Sequence, residues 1–375
     1  MTALYVGLMS GTSMDGIDVA LVDFCTNTPH LVASLSQPFS LALQQQLLDS
    51  RTLPDSEVFN LDQLDIALGE AFAAAVNNLL EIENVDRDEV VAIGSHGQTI
   101  RHRPHADKPF SLQLGNANRI AELTGIQVVS DFRTADIDAG GEGAPLAPAF
   151  HNAILRDNSE NRCVVNIGGI ANITLLPADS DVDISGYDTG PGNTLMDAWV
   201  RRHQQQSYDK AGSWARSGKV NKALLQLMLD DEYFHKLQPK STGFEDFNMR
   251  WLEHILSRLD TRISAEDVEA TLCELTAQTI ADAVKACEPA VDRVLLCGGG
   301  VHNTYLVERI QHHLGTCPVQ STESYGAHPD WVEAIAFAWL ARRCIDKKPG
   351  NLPAVTGARA AVVLGRITYH RAITD

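Results

Sequence analysis

The sequence predicts an α/β protein of two similar domains with mixed β-sheets and a ligand cleft between them. Three observations carry that expectation. The chain has 375 residues, past the roughly 250 to 300 at which single hydrophobic cores stop growing. A strand, a glycine-bearing turn and a second strand occur at the N-terminus and return roughly 160 residues later, a period far too long for a solenoid. Strands also alternate with long helical patterns, which indicates α/β layers with mixed sheets.

The first strand is read over Leu4 to Met9 and the second over Ile17 to Phe24, where Ile17, Val19, Leu21 and Val22 are apolar. Helical periodicity follows over Leu61 to Leu80. An apolar strand, Val90 to Ile93, leads into Ser95-His96-Gly97-Gln98-Thr99 and Arg101-His102-Arg103. The division between domains is expected near Ile126 to Gly143, giving 1–130 and 131–375, with the C-terminal segment able to pack back on the first domain. The glycine-dense, acidic stretch Asp136 to Pro145 fits neither helix nor strand; a hinge or substrate loop and a plain surface loop are both open.

The repeat comes at Cys163 to Ile167, Gly168-Gly169-Ile170-Ala171-Asn172 and Ile173 to Leu176. A strand over Val182 to Tyr187 then runs into Asp188-Thr189-Gly190-Pro191-Gly192-Asn193, with Asn193 or Thr194 capping a helix. A long helix is expected over Ala265 to Cys287. A third glycine cluster, Gly298-Gly299-Gly300, lies between the strand Val294 to Cys297 and a helix bearing Leu306, Val307 and Ile310. A last helix is read over Trp331 to Cys344.

The formal net charge of -18 opposes a groove for DNA or RNA, and no Lys/Arg stripe provides a local exception. A polyanionic ligand must then be gripped by backbone N–H groups and a metal. The seven scattered cysteines form no C-x-x-C pair and read as free thiols of a reducing cytoplasm. The N-terminus has no basic leader and no apolar run reaches the roughly 18 residues needed to span a bilayer, so a soluble cytoplasmic protein is expected.

A turn built of Gly11, Thr12, Ser13 and Gly16 can aim N–H groups and hydroxyls into one concavity, as phosphate oxygens require. Asp15 and Asp18 beside it would repel phosphate unless a divalent cation intervenes, which suggests Mg²⁺ held partly through water. A mere glycine hairpin turn is the competing reading. The two further glycine junctions weigh against it, since together the three can surround a triphosphate and an adenosine in a cleft between domains. No G-x-x-x-x-G-K-[ST] pattern is present.

Asp188, read at a strand's carboxyl end, can act as general base; an Asp that only pins the following turn is the alternative. Ser95 and His96 suit hydrogen bonds to a sugar's hydroxyl, amide or carboxylate, with no acid–base role for His96. Arg133 can meet an acidic substrate bidentately. Glu333, in the first turn of the last helix, is either a substrate contact or simple compensation of the helix dipole.

With Gly7-Leu8-Met9-Ser10-Gly11-Thr12-Ser13-Met14-Asp15-Gly16-Ile17-Asp18, Ser95 to Thr99, Asn166 to Asn172, Asp188 to Asn193 and Cys297 to Gly300 in view, the chain resembles the anhydro-N-acetylmuramic acid kinases. The resemblance covers nearly the whole chain. It implies two similar actin/hexokinase-like (ribonuclease H-like) domains, of the group that includes Hsp70, with an inter-domain ATP cleft that closes on its ligands. It implies a kinase that uses ATP and Mg²⁺ to open the 1,6-anhydro ring of 1,6-anhydro-N-acetylmuramic acid and phosphorylate O6 during peptidoglycan recycling. Gly11, Thr12, Ser13, Met14, Asp15, Gly16, Ile17 and Asp18 would hold phosphates, with Gly168, Gly169 and Asn172 as a second element. Gly298, Gly299 and Gly300 would lie near the adenosine, Asp188 would be the base, and a homodimer is usual. An ordinary sugar kinase, consuming no water, and an ATP-driven assembly protein of the actin or Hsp70 type are the alternatives.

Overall fold

The computed structural model describes residues 3–11, 14–26, 28–238 and 240–370. The chain divides into two compact units: the first runs to Ile154 and resumes at Gly326, and the second is Leu155–Tyr325. The division therefore falls later than the 130/131 junction read from internal symmetry, and the C-terminal segment belongs with the first unit.

The first unit is built on β1 (Leu4–Ser10), β2 (Gly16–Asp23), β3 (His30–Pro38), β4 (Val90–Arg103), β5 (Phe110–Leu114) and β6 (Val128–Ser130). The second contains β7 (Arg162–Ile167), β8 (Ile170–Leu176), β9 (Ser185–Pro191), β10 (Arg293–Cys297) and β11 (Val319–Ser321), and the returning segment adds β12 (Arg366–Thr368) to the first. Among the described residues the first sheet has the order β12-β6-β4-β1-β2-β3, with β5 on β4, and the second has β11-β10-β7-β8-β9. In each, three antiparallel strands in a meander are followed by two parallel ones. The duplication expected from the glycine hairpins is thus present strand for strand, in two α/β units with mixed sheets.

Helices cover these sheets by their apolar faces. Asp62–Glu83 buries Leu64, Leu68, Phe72, Val76 and Leu79, spaced three or four apart, in the first core. Val332–Ile345 is buried along almost its whole length and lies directly on β1 and β4. A Cβ on Gly7 would come 1.8 Å from the Ala334 carbonyl oxygen and one on Gly94 2.1 Å from that of Phe337, so only glycine permits this approach. In the second unit Ala265–Lys285, capped by Ser264, fills the core with Leu272, Leu275 and Ile280. That helix also buries Glu269 completely, and neither carboxyl oxygen has a hydrogen-bond partner among the described residues.

Three local expectations are corrected. β4 continues to Arg103 instead of ending near Ile93, because Ser95, His96 and Gln98 are buried polar residues inside the sheet. β9 begins at Ser185 and ends at Pro191, so Asp188 lies in mid-strand at the sheet edge, not at a strand's carboxyl end. Its extent is set by pairing with Ile170–Leu175, which the apolar residues before it do not report. The Asp136 to Pro145 stretch is not a plain surface loop. Asp136 is fully buried in the short helix Thr134–Asp138 and accepts bonds from Gly143 N (2.8 Å), Asn351 Nδ2 (2.7 Å) and Thr356 Oγ1 (2.7 Å).

Candidate active site

In the first unit the turn between β1 and β2 opens at Gly11, and Thr12 and Ser13 lie outside the described residues. Met14 takes the left-handed conformation (φ 55°), buries its side chain in the core and donates from N to Gly11 O at 3.2 Å. Ile17 is equally buried, so both residues can offer a ligand only their backbone. Gln98 of β4 clamps the turn: its Nε2 donates to Gly11 O at 3.1 Å, and its Oε1 lies 2.7 Å from Ser10 Oγ. Asp15 is exposed and Asp18 half-buried. Burial pushes the Asp18 carboxyl up, a Ser36 hydrogen bond opposes this, and the charges of Asp15 and Asp330 add to the rise.

Along the same sheet a cavity of about 360 Å³ is lined by Asp65, Ser95, His96, Gln113, Ser130 and Thr134, among others. Arg133 Nη2 lies 2.8 Å from His96 Nε2. A guanidinium has only donors, so Nε2 must accept, which leaves a neutral imidazole with its proton on Nδ1. Burial, with the Arg133 charge, holds the His96 pKa well below its usual value in agreement. Arg133 Nη1 donates to Gly143 O at 2.8 Å, and burial lowers the guanidinium to about 10. Ser95 Oγ, His96 Nδ1 and Arg133 Nε are buried without hydrogen-bond partners among the described residues. Glu333 occupies the first turn of its helix, as read from the sequence. Its side chain reaches solvent, yet the protein crowded around it pushes the carboxyl up; Asp18 adds to this and Arg133 opposes it.

In the second unit the turn at Gly168 and Gly169 docks on the start of the helix Thr194–Gln204. Asn193 N donates to Gly168 O (2.8 Å), and Gly192 N (2.8 Å) and Thr194 N (3.2 Å) donate to Gly169 O. In a trans peptide the next N–H points opposite the carbonyl. The N–H groups of Gly169 and Ile170 therefore face away from residues 192–194. Next to this turn, Gly298 has φ +80°, and a Cβ there would come 2.4 Å from Asn166 Oδ1; one on Gly300 would come 2.2 Å from Ile167 Cγ2. A Cβ on Gly299 would meet nothing within 4 Å.

Asp188 lies directly across from Asn172 of β8, and Asn172 from Asn166 of β7. Residues directly opposite in antiparallel strands share a face, so Asn166, Asn172 and Asp188 form one polar rung. Asp188 Oδ2 accepts from Thr242 N at 3.0 Å, its N donates to Lys240 O at 3.0 Å, and its carbonyl accepts from the Tyr233 hydroxyl. Burial pushes the Asp188 carboxyl up and the Thr242 bond pulls it back. It is a backbone-anchored carboxylate with one oxygen engaged.

The second unit thus gathers Gly168, Gly169, Asn172, Asp188 and Gly298 to Gly300, and the first gathers Ser95, His96, Arg133 and, separately, the turn with Asp15 and Asp18. Gln98, Asn166 and Thr242 escaped the sequence reading. Gln98 and Asn166 stood inside noted motifs, which were the available signal; Thr242 gave none, being joined to the site by a loop contact. Among the described residues no three His, Cys, Asp or Glu side chains converge as metal ligands. The carboxylates of Asp15 and Asp330 lie near enough to Asp18 to push its carboxyl up, and such an acidic set fits a hydrated divalent cation.

The family model described as anhydro-N-acetylmuramic acid kinase matches residues 3–370. The anhydro-N-acetylmuramic acid kinase of Saccharophagus degradans is 52% identical over 368 residues, covering 97% of this chain and 98% of its own. That of Xylella fastidiosa is 50% identical, covering 97% and 96%, and that of Coxiella burnetii is 47% identical, covering 97% of each. With identity near one half sustained from end to end, this chain belongs to the anhydro-N-acetylmuramic acid kinase family.

Proposed function

We propose that the chain hydrolytically opens the 1,6-anhydro ring of 1,6-anhydro-N-acetylmuramic acid and phosphorylates O6 with ATP, yielding N-acetylmuramic acid 6-phosphate in peptidoglycan recycling. The observation that carries the reading is Asp188, a half-buried carboxylate set in a polar rung beside a glycine turn, in a chain of this family.

Asp188 is assigned as general base. Its free oxygen takes a proton from the water that attacks the anomeric carbon, while the bridging oxygen, released as O6, receives the γ-phosphoryl group. A carboxyl raised above its usual value by burial is the stronger base for that transfer. Phosphoryl transfer of this loose kind asks chiefly for positioning and charge neutralisation. Backbone N–H groups at Gly11 to Asp18 and at Gly168 and Gly169 are assigned to the phosphates, Asn172 to their neighbourhood, and Gly298, Gly299 and Gly300 to the adenosine. Gly299, with open space where a side chain would be, suits a flat ring.

The sugar is assigned to the cavity beside Ser95 and His96, with Arg133 and Glu333 as further contacts. Three buried donors without partners, Ser95 Oγ, His96 Nδ1 and Arg133 Nε, support an acceptor-bearing ligand there. Asp15 and Asp18 are assigned to Mg²⁺ through its waters; when bound, it neutralises phosphate charge. A cytoplasmic homodimer that does not bind nucleic acid completes the reading, supported by the family and by the net charge of -18.

The test is turnover in ¹⁸O-labelled water. Label is expected at the anomeric oxygen of the initial product; product formed without label makes the enzyme an ordinary sugar kinase instead.

A further inference from the structure

β9 is the last strand of its sheet and pairs only with β8 among the described residues, so its outer edge carries backbone groups that no strand takes up. At Asp188 two other segments take them up. Asp188 N donates to Lys240 O at 3.0 Å, and the Tyr233 hydroxyl donates to Asp188 O. The strand also bulges here: Ala171 faces Gly190 and Asn172 faces Asp188, which leaves Thr189 as the extra residue. Bulges re-aim the side chains beside them. The aim of the Asp188 carboxylate therefore depends on what fixes this backbone from outside the sheet.

Tyr233 lies in the short helix Glu232–His235, is buried, and packs edge-on against Phe234 and Phe247, with ring centroids 5.7 and 5.4 Å away. Asp231 caps that helix by accepting from Tyr233 N (2.9 Å), and it also accepts from Trp251 Nε1 (2.8 Å). Gly190 gives Phe234 its room, since a Cβ there would come 2.8 Å from Cε1 of that ring. Lys240 joins the helix to the segment that follows, its Nζ donating to Tyr233 O at 3.0 Å and to Phe234 O at 3.4 Å. Two residues on, Thr242 N holds Asp188 Oδ2 at 3.0 Å. Burial and the Asp188 charge push the Tyr233 phenol up, so it keeps the proton that it donates to the carbonyl.

We propose that Tyr233 is a positioning residue for the general base: it holds the Asp188 backbone so that one carboxyl oxygen stays on Thr242 N and the other is left to the attacking water. Lys240 supports it by tying the Tyr233 helix to the Thr242 segment. The proposal rests on the assignment of Asp188 as base. In this role Tyr233 touches no reactant and acts only through Asp188. Without its hydroxyl the Asp188 carbonyl loses a donor, and the bulge loses a fixed aim.

The experiment is a double-substitution cycle in the full chain, read by kcat, by KM for ATP and for the anhydrosugar, and by the thermal midpoint, with enzyme in excess for the slow variants. Tyr233→Phe keeps the ring and removes the hydroxyl. It should lower kcat about tenfold, near the upper worth of one hydrogen bond, with both KM values within about twofold. In an Asp188→Asn background the same substitution should change kcat less than about twofold, because its effect passes through the carboxylate. Lys240→Met, which keeps an apolar stem and removes the donor, should show the same pattern with a smaller loss, and it carries the cycle if Tyr233→Phe does not fold. An unchanged kcat, an equal loss in both backgrounds, or a rise in KM without a fall in kcat would overturn the proposal and leave the base assignment standing. Asp188→Asn turning over at the wild-type rate would instead overturn the base assignment, and this proposal with it.

Discussion

The two antiparallel meanders share a topology and differ at their first turn. Between β1 and β2 the connection from Gly11 to Asp15 carries side chains: Met14 reaches into the core, and Asp15, with Asp18 in the strand beyond, places carboxylates nearby. Between β7 and β8 it is Gly168 and Gly169, with both carbonyls turned to the following helix and no side chain at all. The first turn can therefore bias charge and hold a hydrated cation, while the second presents bare N–H groups. In the proposed assignment the base belongs to the meander whose turn carries no side chain, and the carboxylates assigned to the cation belong to the other.

The comparison breaks most sharply at Asp188. Asp188→Asn should lower kcat by roughly 10³-fold, the span typical of a general base, while the ATP dissociation constant, read by calorimetry, stays within about twofold if binding is carried by other groups. In wild type, kcat should rise with pH along an acid limb whose midpoint lies above the usual aspartate value, because the base must be ionised to work. Asp18→Asn should act differently. We expect a loss of roughly tenfold to a hundredfold that titrates with Mg²⁺ concentration; a loss independent of Mg²⁺ would remove Asp18 from the cation's surroundings. Gln98→Ala should be milder still, raising KM for ATP about tenfold or less with little change in kcat, as expected when a clamp on a binding turn is lost.

The buried carboxyls sharpen the contrast in a second way. Asp136 in the first unit has three donors, whereas Glu269 in the second has none among the described residues and is pushed up to about 9 by burial, with Asp209 and Asp197 adding. Its folded pKa lies above the ordinary glutamate value of about 4.5, so the protonated group favours the folded state at low pH. That advantage is lost as pH rises from about 4.5 towards 9. Glu269→Gln should leave stability nearly unchanged at pH 5 and raise it by roughly 3 kcal/mol at pH 7, flattening the pH dependence of the thermal midpoint.

Much of this was legible in the residues. The hairpins around Gly11 and Gly168, the junction at Gly298 and the helix over residues 265–285 announce themselves by local chemistry: glycine where space is short, apolar residues at helical spacing. The polar rung was not legible, because Asn166, Asn172 and Asp188 meet only through the register of three strands, and a shift of one residue would turn each to the other face. The same holds for Asp136, whose partners Asn351 and Thr356 are more than 200 positions away. A buried, satisfied carboxylate and a loop carboxylate look alike in sequence.

The order of the chain has a consequence for how the protein is made. Residues 332–345, which press on Gly7 and Gly94, are translated long after the strands they cover. Throughout synthesis of the second unit, β1 and β4 lack that covering helix, and β6 lacks β12. The contiguous second unit can complete its core while the first waits, although domains usually mature from the N-terminus onward. A nascent chain stalled before residue 332 should therefore show protease resistance over Leu155–Tyr325 first, with the earlier residues still open to cleavage.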